Sequence, residues 1–259
     1  MLNSGARRRL GQNFLIDANI ARKIVDCLQV SPKEGILEVG PGQGSLTGIL
    51  LQRSSQVVAL ERDPHLAVGL KQRYPLLRVI NADALCFDWS RMDGRLDRIV
   101  GNLPYNIASP LIWDLVCSVQ HIKRAVFMVQ KEVAQRLAAD TCCKSYGGLS
   151  IWVQSFAKVR YEFEVSCNVF RPRPRVSSAV VSLEPLPREL RPIYPDNLSR
   201  LLKLFFQNRR KQVGRILKQS YGSYALQWLE RHGLSYRSRP EEITPAKFES
   251  LSRDLRCIP

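Results

Sequence analysis

The stretch Glu38–Thr47, EVGPGQGSLT, places glycines at 40, 42 and 44 directly after an apolar, strand-like run. Glycines let a backbone turn sharply and come close to a ligand, and a helix behind them offers free N–H groups. By itself the pattern fits a dinucleotide loop, an S-adenosylmethionine loop or a tight turn. Two acids narrow it. Glu61 stands 21 residues after Gly40, at the end of the next apolar run, where a carboxylate can accept both hydroxyls of a ribose. Asp83, in NADAL (Asn81–Leu85), follows a third run, where a carboxylate can accept a hydrogen bond from an adenine amine. Singly, each acid is more often a solvated loop residue. Together they suit a nucleoside with no pyrophosphate to cradle, which favours S-adenosylmethionine over NAD.

Asn102-Leu103-Pro104-Tyr105 closes a fourth run, Arg98–Val100. Read alone, these four residues equally describe a turn in which the Tyr packs. Behind this glycine loop they suggest chemistry on a ring amine. Such an amine is a poor nucleophile because its lone pair is delocalised into the ring. The Asn102 oxygen can accept one of its hydrogens, and a backbone carbonyl can accept the other. Pro104 holds Leu103 extended and so fixes the direction of the Leu103 carbonyl. Tyr105 offers a flat face for base stacking, worth about 1–3 kcal/mol per base. No side-chain base is needed, because the proton can leave after attack; positioning and dipoles suffice.

These groups act together only if four strand ends lie side by side. Strands are expected over Ile36–Gly40, Val57–Glu61, Leu76–Ile80, Arg98–Asn102 and Ala125–Gln130. Helical periodicity fills Ser45–Arg53, Pro64–Tyr74 and Ser109–Val119, and a helix is expected at Lys131–Ala139. This α/β alternation predicts a mostly parallel sheet with helices on both faces, whose carboxyl edge binds ligands. Two β-rich runs, Leu149–Val165 (partly helical at its start) and Val176–Pro185, should close the sheet, at least one of them antiparallel. The proline-rich Glu184–Pro195 reads as a linker. Helices are expected beyond it at Asp196–Gln219, Tyr224–Gly233 and Thr244–Arg256. The predicted domains are therefore 1–187 and an all-helical 188–259.

The chain has 259 residues, 45% hydrophobic and 24% charged, which suits a globular protein. Its net charge of +16 points to a polyanion, nucleic acid before membrane. Residues 188–259 carry 15 Lys/Arg against 7 Asp/Glu, half of that charge. Charge runs are usually solvated faces, yet Arg209, Arg210, Lys211, Arg215 and Lys218 are read as phosphate contacts with helical spacing, beside Arg7–Arg9 near the start. Phe170 precedes RPRPR, whose Arg171 and Arg173 suit backbone phosphates; it either stacks on a base or anchors the core. Seven cysteines include no C-x-x-C pair, so reduced thiols in a cytoplasmic protein are expected, with no metal site. No apolar run approaches membrane length, and the basic start lacks the apolar stretch of a secretory signal.

The same motifs resemble the small-subunit rRNA adenine N6,N6-dimethyltransferases, the KsgA family. RRRLGQNFL (Arg7–Leu15), EVGPGQGSLT, NADAL, GNLPYN (Gly101–Asn106), FMVQKEVAQRL (Phe127–Leu137), YGGLS (Tyr146–Ser150) and VFRPRPRVSSAVV (Val169–Val181) follow in the family's order. The resemblance implies a Rossmann-like class I methyltransferase with a seven-stranded sheet. It implies S-adenosylmethionine-dependent dimethylation of two adjacent adenosines in the 3′-terminal hairpin loop of small-subunit rRNA, and a role in ribosome biogenesis. The expected partner is the immature small ribosomal subunit, and the expected state a monomer. By position, Asn13 and Leu15 would contact the cofactor, Gly40 and Gly42 would line its methionine end, Glu61 its ribose, and Asp83 and Ala84 its adenine. Asn102 would bridge cofactor and target amine, with Leu103 and Pro104 shaping the site. Tyr105 and Phe170 would stack on the two faces of the base. The rival readings are a large-subunit rRNA adenine methyltransferase of the macrolide-resistance type and a non-catalytic RNA-binding assembly factor.

Overall fold

A computed structural model describes residues 12–92, 94–119 and 121–255. The chain forms two compact units. One comprises residues up to Ala134 together with Lys158–Pro185; the other comprises Gln135–Ala157 and the residues from Leu186 onward.

The first unit begins with β1 (Phe14–Leu15) and α1 (Ala18–Cys27), whose first turn is capped by the Asp17 carboxylate accepting from the Asn19 and Ile20 N–H groups. Then follow β2 (Gly35–Val39), α2 (Thr47–Arg53), β3 (Val57–Glu61), α3 (Pro64–Arg73), β4 (Arg78–Asn81), β5 (Leu96–Asn102), α4 (Ala108–Ser118) and β6 (Arg124–Gln130). Helix α5 (Lys131–Leu137) and α6 (Gly148–Phe156) precede β7 (Ala157–Val165), β8 (Phe170–Arg171) and β9 (Ser178–Pro185). Seven strands form one sheet in the order β4-β3-β2-β5-β6-β9-β7. The pairs β2–β3, β3–β4, β2–β5 and β5–β6 are parallel and β6–β9 is antiparallel. Every residue of β2 and β3 is buried, as expected of central parallel strands covered on both faces. Strand order reverses between β3 and β5 on either side of β2, and such a switch point opens a crevice at the carboxyl ends.

A separate two-stranded sheet pairs β1 with β8, Phe14 opposite Arg171 and Leu15 opposite Phe170. It fastens the segment around residue 13 beside the strand ends.

The second unit adds α7 (Pro195–Gln207), α8 (Val213–Tyr221), α9 (Leu226–Arg231) and α10 (Pro245–Asp254). Leu198, Leu201, Leu202 and Phe205 fall on one face of α7 and are buried. Phe205 meets Phe248 of α10 edge to face at 5.3 Å between ring centroids.

Two expectations are corrected and a third is sharpened. The helix foreseen over Asp196–Gln219 breaks after Gln207, where Asn208 turns its side-chain amide back to the Leu204 carbonyl at 2.9 Å. The run Leu149–Val165 is helical at its start, as expected, and divides into α6 and β7; the apolar residues of α6 are buried on every side, so their order alone did not place the boundary. Residues 135–157 belong with the helical unit rather than with a domain ending at 187. Their anchor is Tyr146, fully buried, whose hydroxyl donates to the Ile243 carbonyl at 2.9 Å.

Candidate active site

The carboxyl ends of β2, β3, β4 and β5 surround a cleft of about 340 Å³. Its floor is the glycine loop. Gly40, Gly42 and Gly44 hold φ of +66°, +57° and +82°, values that side chains disfavour. A Cβ on Gly42 would also lie 3.0 Å from the Phe14 ring. The Gly42 N–H donates to Glu61 Oε2 at 2.9 Å, and the Asp63 N–H donates to Oε1 at 2.8 Å. Glu61 thus spans from β3 to the loop and is 3% exposed. Burial pushes its pKa up, against those two hydrogen bonds.

Glu38 on β2 also lines the cleft, and it is 1% exposed. Thr47 Oγ1 donates to it at 2.6 Å. Burial lifts its pKa to about 7, the Thr47 hydrogen bond opposes the rise and the Glu61 charge adds to it. Two buried acids beside a glycine loop repel a diphosphate and favour a cationic ligand.

Asp83 follows β4. Its Oδ1 accepts from the Leu85 N–H at 3.0 Å and its Oδ2 lies 3.3 Å from Arg62 Nη1. The Ala84 carbonyl accepts from Trp89 Nε1 at 3.2 Å. Asn81 Nδ2 donates to the Glu61 and Arg62 carbonyls at 2.8 and 3.1 Å, tying the ends of β3 and β4 together.

At the end of β5, Asn102 Nδ2 donates to the Asn13 carbonyl at 3.1 Å. That bond settles which way round the amide sits and leaves Oδ1 as the free acceptor. Leu103 is buried and its N–H donates to the Met128 carbonyl at 3.0 Å. The Pro104 carbonyl is committed to α4, accepting from the Ile107 and Ala108 N–H groups at 3.1 and 3.2 Å. Among the described residues no hydrogen bond reaches the Leu103 carbonyl, which is therefore the backbone acceptor available beside Asn102. Gly101 lets β5 approach β2: a Cβ there would lie 2.6 Å from the Val39 carbonyl oxygen. Tyr105 is half-buried; burial raises its pKa, so the phenol stays protonated.

The cleft brings together Asn13, Leu15, Gly40, Gly42, Glu61, Asp83, Ala84 and Asn102 through Tyr105. It does not include Phe170, which corrects the expectation of a stacking platform. Phe170 is 2% exposed and belongs to the buried cluster with Leu15 and Val165. Pairing of β8 with β1 turns this ring into the core, so it is the anchor that its alternative reading described. Arg171 and Arg173 beside it are exposed. Arg7 and Arg8 lie outside the described residues. In the second unit, Arg209, Arg210 and Lys211 occupy the turn before α8 rather than a helix face, while Arg215 and Lys218 share the exposed side of α8. Arg209 is engaged with Glu241 at 3.4 Å and the Lys144 carbonyl at 3.0 Å. Sequence reasoning passed over Glu38, Phe14 and Arg62 as site residues. Only Glu38 left a signal, an acid one residue before the end of an apolar strand and two before Gly40.

The family model for ribosomal RNA adenine dimethylase matches residues 3–255. The chain belongs to this family. It is 47% identical over 253 residues to the ribosomal RNA small subunit methyltransferase A of Maridesulfovibrio salexigens, covering 97% of this chain and 96% of that one. The protein of the same name from Oleidesulfovibrio alaskensis is 44% identical over 256 residues, covering 96% and 91%. A solved dimethyladenosine transferase from Plasmodium falciparum superposes with a TM-score of 0.83 at 27% identity, covering 94% of this chain and 97% of that one. The 23S rRNA methyltransferase ErmE superposes at 0.73 with 24% identity, covering 94% and 100%, and shares the fold. The adenine dimethylase described here thus has the class I methyltransferase architecture.

Proposed function

We propose that this protein dimethylates the N6 amines of two adjacent adenosines in the 3′-terminal hairpin loop of small-subunit rRNA, acting on immature small subunits during ribosome biogenesis. It is an S-adenosylmethionine-dependent rRNA adenine dimethyltransferase, the activity of its family. Its residues fit the cofactor: Glu38 and Glu61 give the cleft a buried acidic wall suited to a cation, and Gly42 leaves room that a Cβ would close. Glu61 would hold the ribose, Asp83 and Ala84 the adenine, and Gly40, Gly42, Asn13 and Leu15 the methionine end. When bound, S-adenosylmethionine supplies a methyl carbon on a positively charged sulfur.

The single observation carrying this reading is the Asn102 amide, held by the Asn13 carbonyl with its oxygen free. Asn102 Oδ1 accepts one hydrogen of the target amine and the Leu103 carbonyl accepts the other. The nitrogen lone pair is then drawn out of conjugation and aimed away from both acceptors. The Tyr105 ring supports the base after it has left its stack, which costs a few kcal/mol. The amine proton leaves to water once the N–C bond has formed.

Asn102→Ala is the test. Cofactor and RNA should still bind while methyl transfer falls by about 10²–10³, the cost of losing one preorganised dipole. Transfer at the parental rate would overturn the assignment. The basic residues Arg171, Arg173, Arg210, Lys211, Arg215 and Lys218 would contact phosphates, since structured RNA is read largely through shape and backbone. We further propose that the protein acts as a monomer in the cytoplasm; among the described residues no helix is long and apolar enough to cross a membrane.

A further inference from the structure

Tyr105 carries the base-stacking role proposed above and sits, half-buried, in the short turn between β5 and α4. A ring attached only at Cα can pivot about χ1 and χ2. Its far end, however, is fixed: Tyr105 Oη lies 2.8 Å from Ser178 Oγ. Ser178 is 73 residues away in the chain and fully buried. It opens β9, where its backbone pairs with Gln130 of β6. One residue earlier, the Ser177 carbonyl accepts from the Lys131 N–H at 3.0 Å, so the start of β9 is fastened to the sheet. The residues after it, Ala179 to Leu183, are buried in the core. Ser178 is thus a rigid post rather than a mobile surface hydroxyl.

We infer that Ser178 is a positioning residue for methyl transfer: its hydroxyl fixes the plane of the Tyr105 ring so that the target base stacks with its amine at Asn102. This rests on the stacking reading of Tyr105. The phenol and the serine hydroxyl can each donate, so the bond forms whichever carries the shared hydrogen. A free phenol would find water when the cleft is open, and would then have to surrender it as the base arrives. The Ser178 partnership removes that step and leaves the ring ready.

The test is a double-mutant cycle in the full chain with immature small subunits as substrate, measuring kcat and the cofactor KM. Ser178→Ala and Tyr105→Phe delete the same hydrogen bond from its two ends. Each should lower kcat by about threefold to tenfold, the span one neutral hydrogen bond carries. The cofactor KM should not move, and the double variant should be no slower than either single one. Tyr105→Ala, which removes the ring, should be slower than all three. If Tyr105→Ala matches the parent, the stacking reading fails. If Tyr105→Ala is impaired while Ser178→Ala and Tyr105→Phe turn over like the parent, or if their losses multiply, stacking stands and the positioning role of Ser178 is overturned. Should Ser178→Ala not fold, Tyr105→Phe alone decides, because parental kcat in that variant contradicts the inference.

Discussion

An asparagine serves this chemistry only one way round. With Nδ2 on the Asn13 carbonyl, Oδ1 is left as the acceptor that the proposed reaction requires. Asn102→Asp keeps the size but sets a carboxylate against that carbonyl, 3.1 Å from where the amide nitrogen was. It should lose transfer on the order of 100-fold or more in single-turnover assays, with cofactor affinity in equilibrium titration little changed. Glu38 makes a second prediction, about pH. Its carboxyl holds a proton more tightly folded, at about 7, than at its ordinary 4.5. Folding is therefore favoured by this group below about pH 4.5, and that contribution is lost as pH rises through 7, at about 1.4 kcal/mol per pH unit crossed. Denaturant titrations of Glu38→Gln without cofactor should show a flatter decline across that window than the parent. A parallel decline would mean that Glu38 is ionised throughout.

The small β1–β8 sheet turns a distant segment into part of the site. Phe170 lies opposite Leu15 in it, and Asn13, just before β1, accepts from Asn102, so the pairing connects the anchor to the site. Phe170→Ala should cost about 3–5 kcal/mol in equilibrium unfolding. Phe170→Leu should cost less and keep transfer close to the parental rate, because an anchor needs bulk and not aromaticity. A Leu variant that is as stable as the parent but inactive would restore the stacking role. These strands of two residues are too short to show any alternation, which is why the sequence pointed to Phe170 without revealing its side of the sheet. By contrast β2, β3, β5 and β6 were plain as apolar runs, and Glu61 followed from the end of β3 as Asp83 did from the end of β4, while Glu38, inside its strand, was missed. The Tyr105–Ser178 bond and the Tyr146 anchor join residues 73 and 97 apart, and no spacing rule reaches that far. The break at Asn208 lacks a Gly or Pro to announce it and rests on a local side-chain hydrogen bond.

Across both units the excess of basic residues gives a field rather than a set of specific bonds. The net charge of +16 predicts RNA affinity that falls steeply with salt. Arg215 and Lys218 are exposed on one side of α8, so Arg215→Glu with Lys218→Glu should weaken binding and lower the slope of log K against log salt by about 1–2. Arg209→Ala should instead lower the unfolding midpoint more than RNA affinity, since its guanidinium is already held by Glu241 and Lys144. An unchanged salt slope in the double charge reversal would place the RNA elsewhere on the surface. The deciding question is which atom receives the methyl group, and on which RNA. Mass spectrometry of small-subunit and large-subunit rRNA, each incubated with this protein and labelled S-adenosylmethionine, reads that directly. The expected result is label in N6,N6-dimethyladenosine at two neighbouring positions of the 3′-terminal hairpin loop of small-subunit rRNA, lost in Asn102→Ala. Label confined to large-subunit rRNA, on another base or atom, or retained without Asn102, would contradict it.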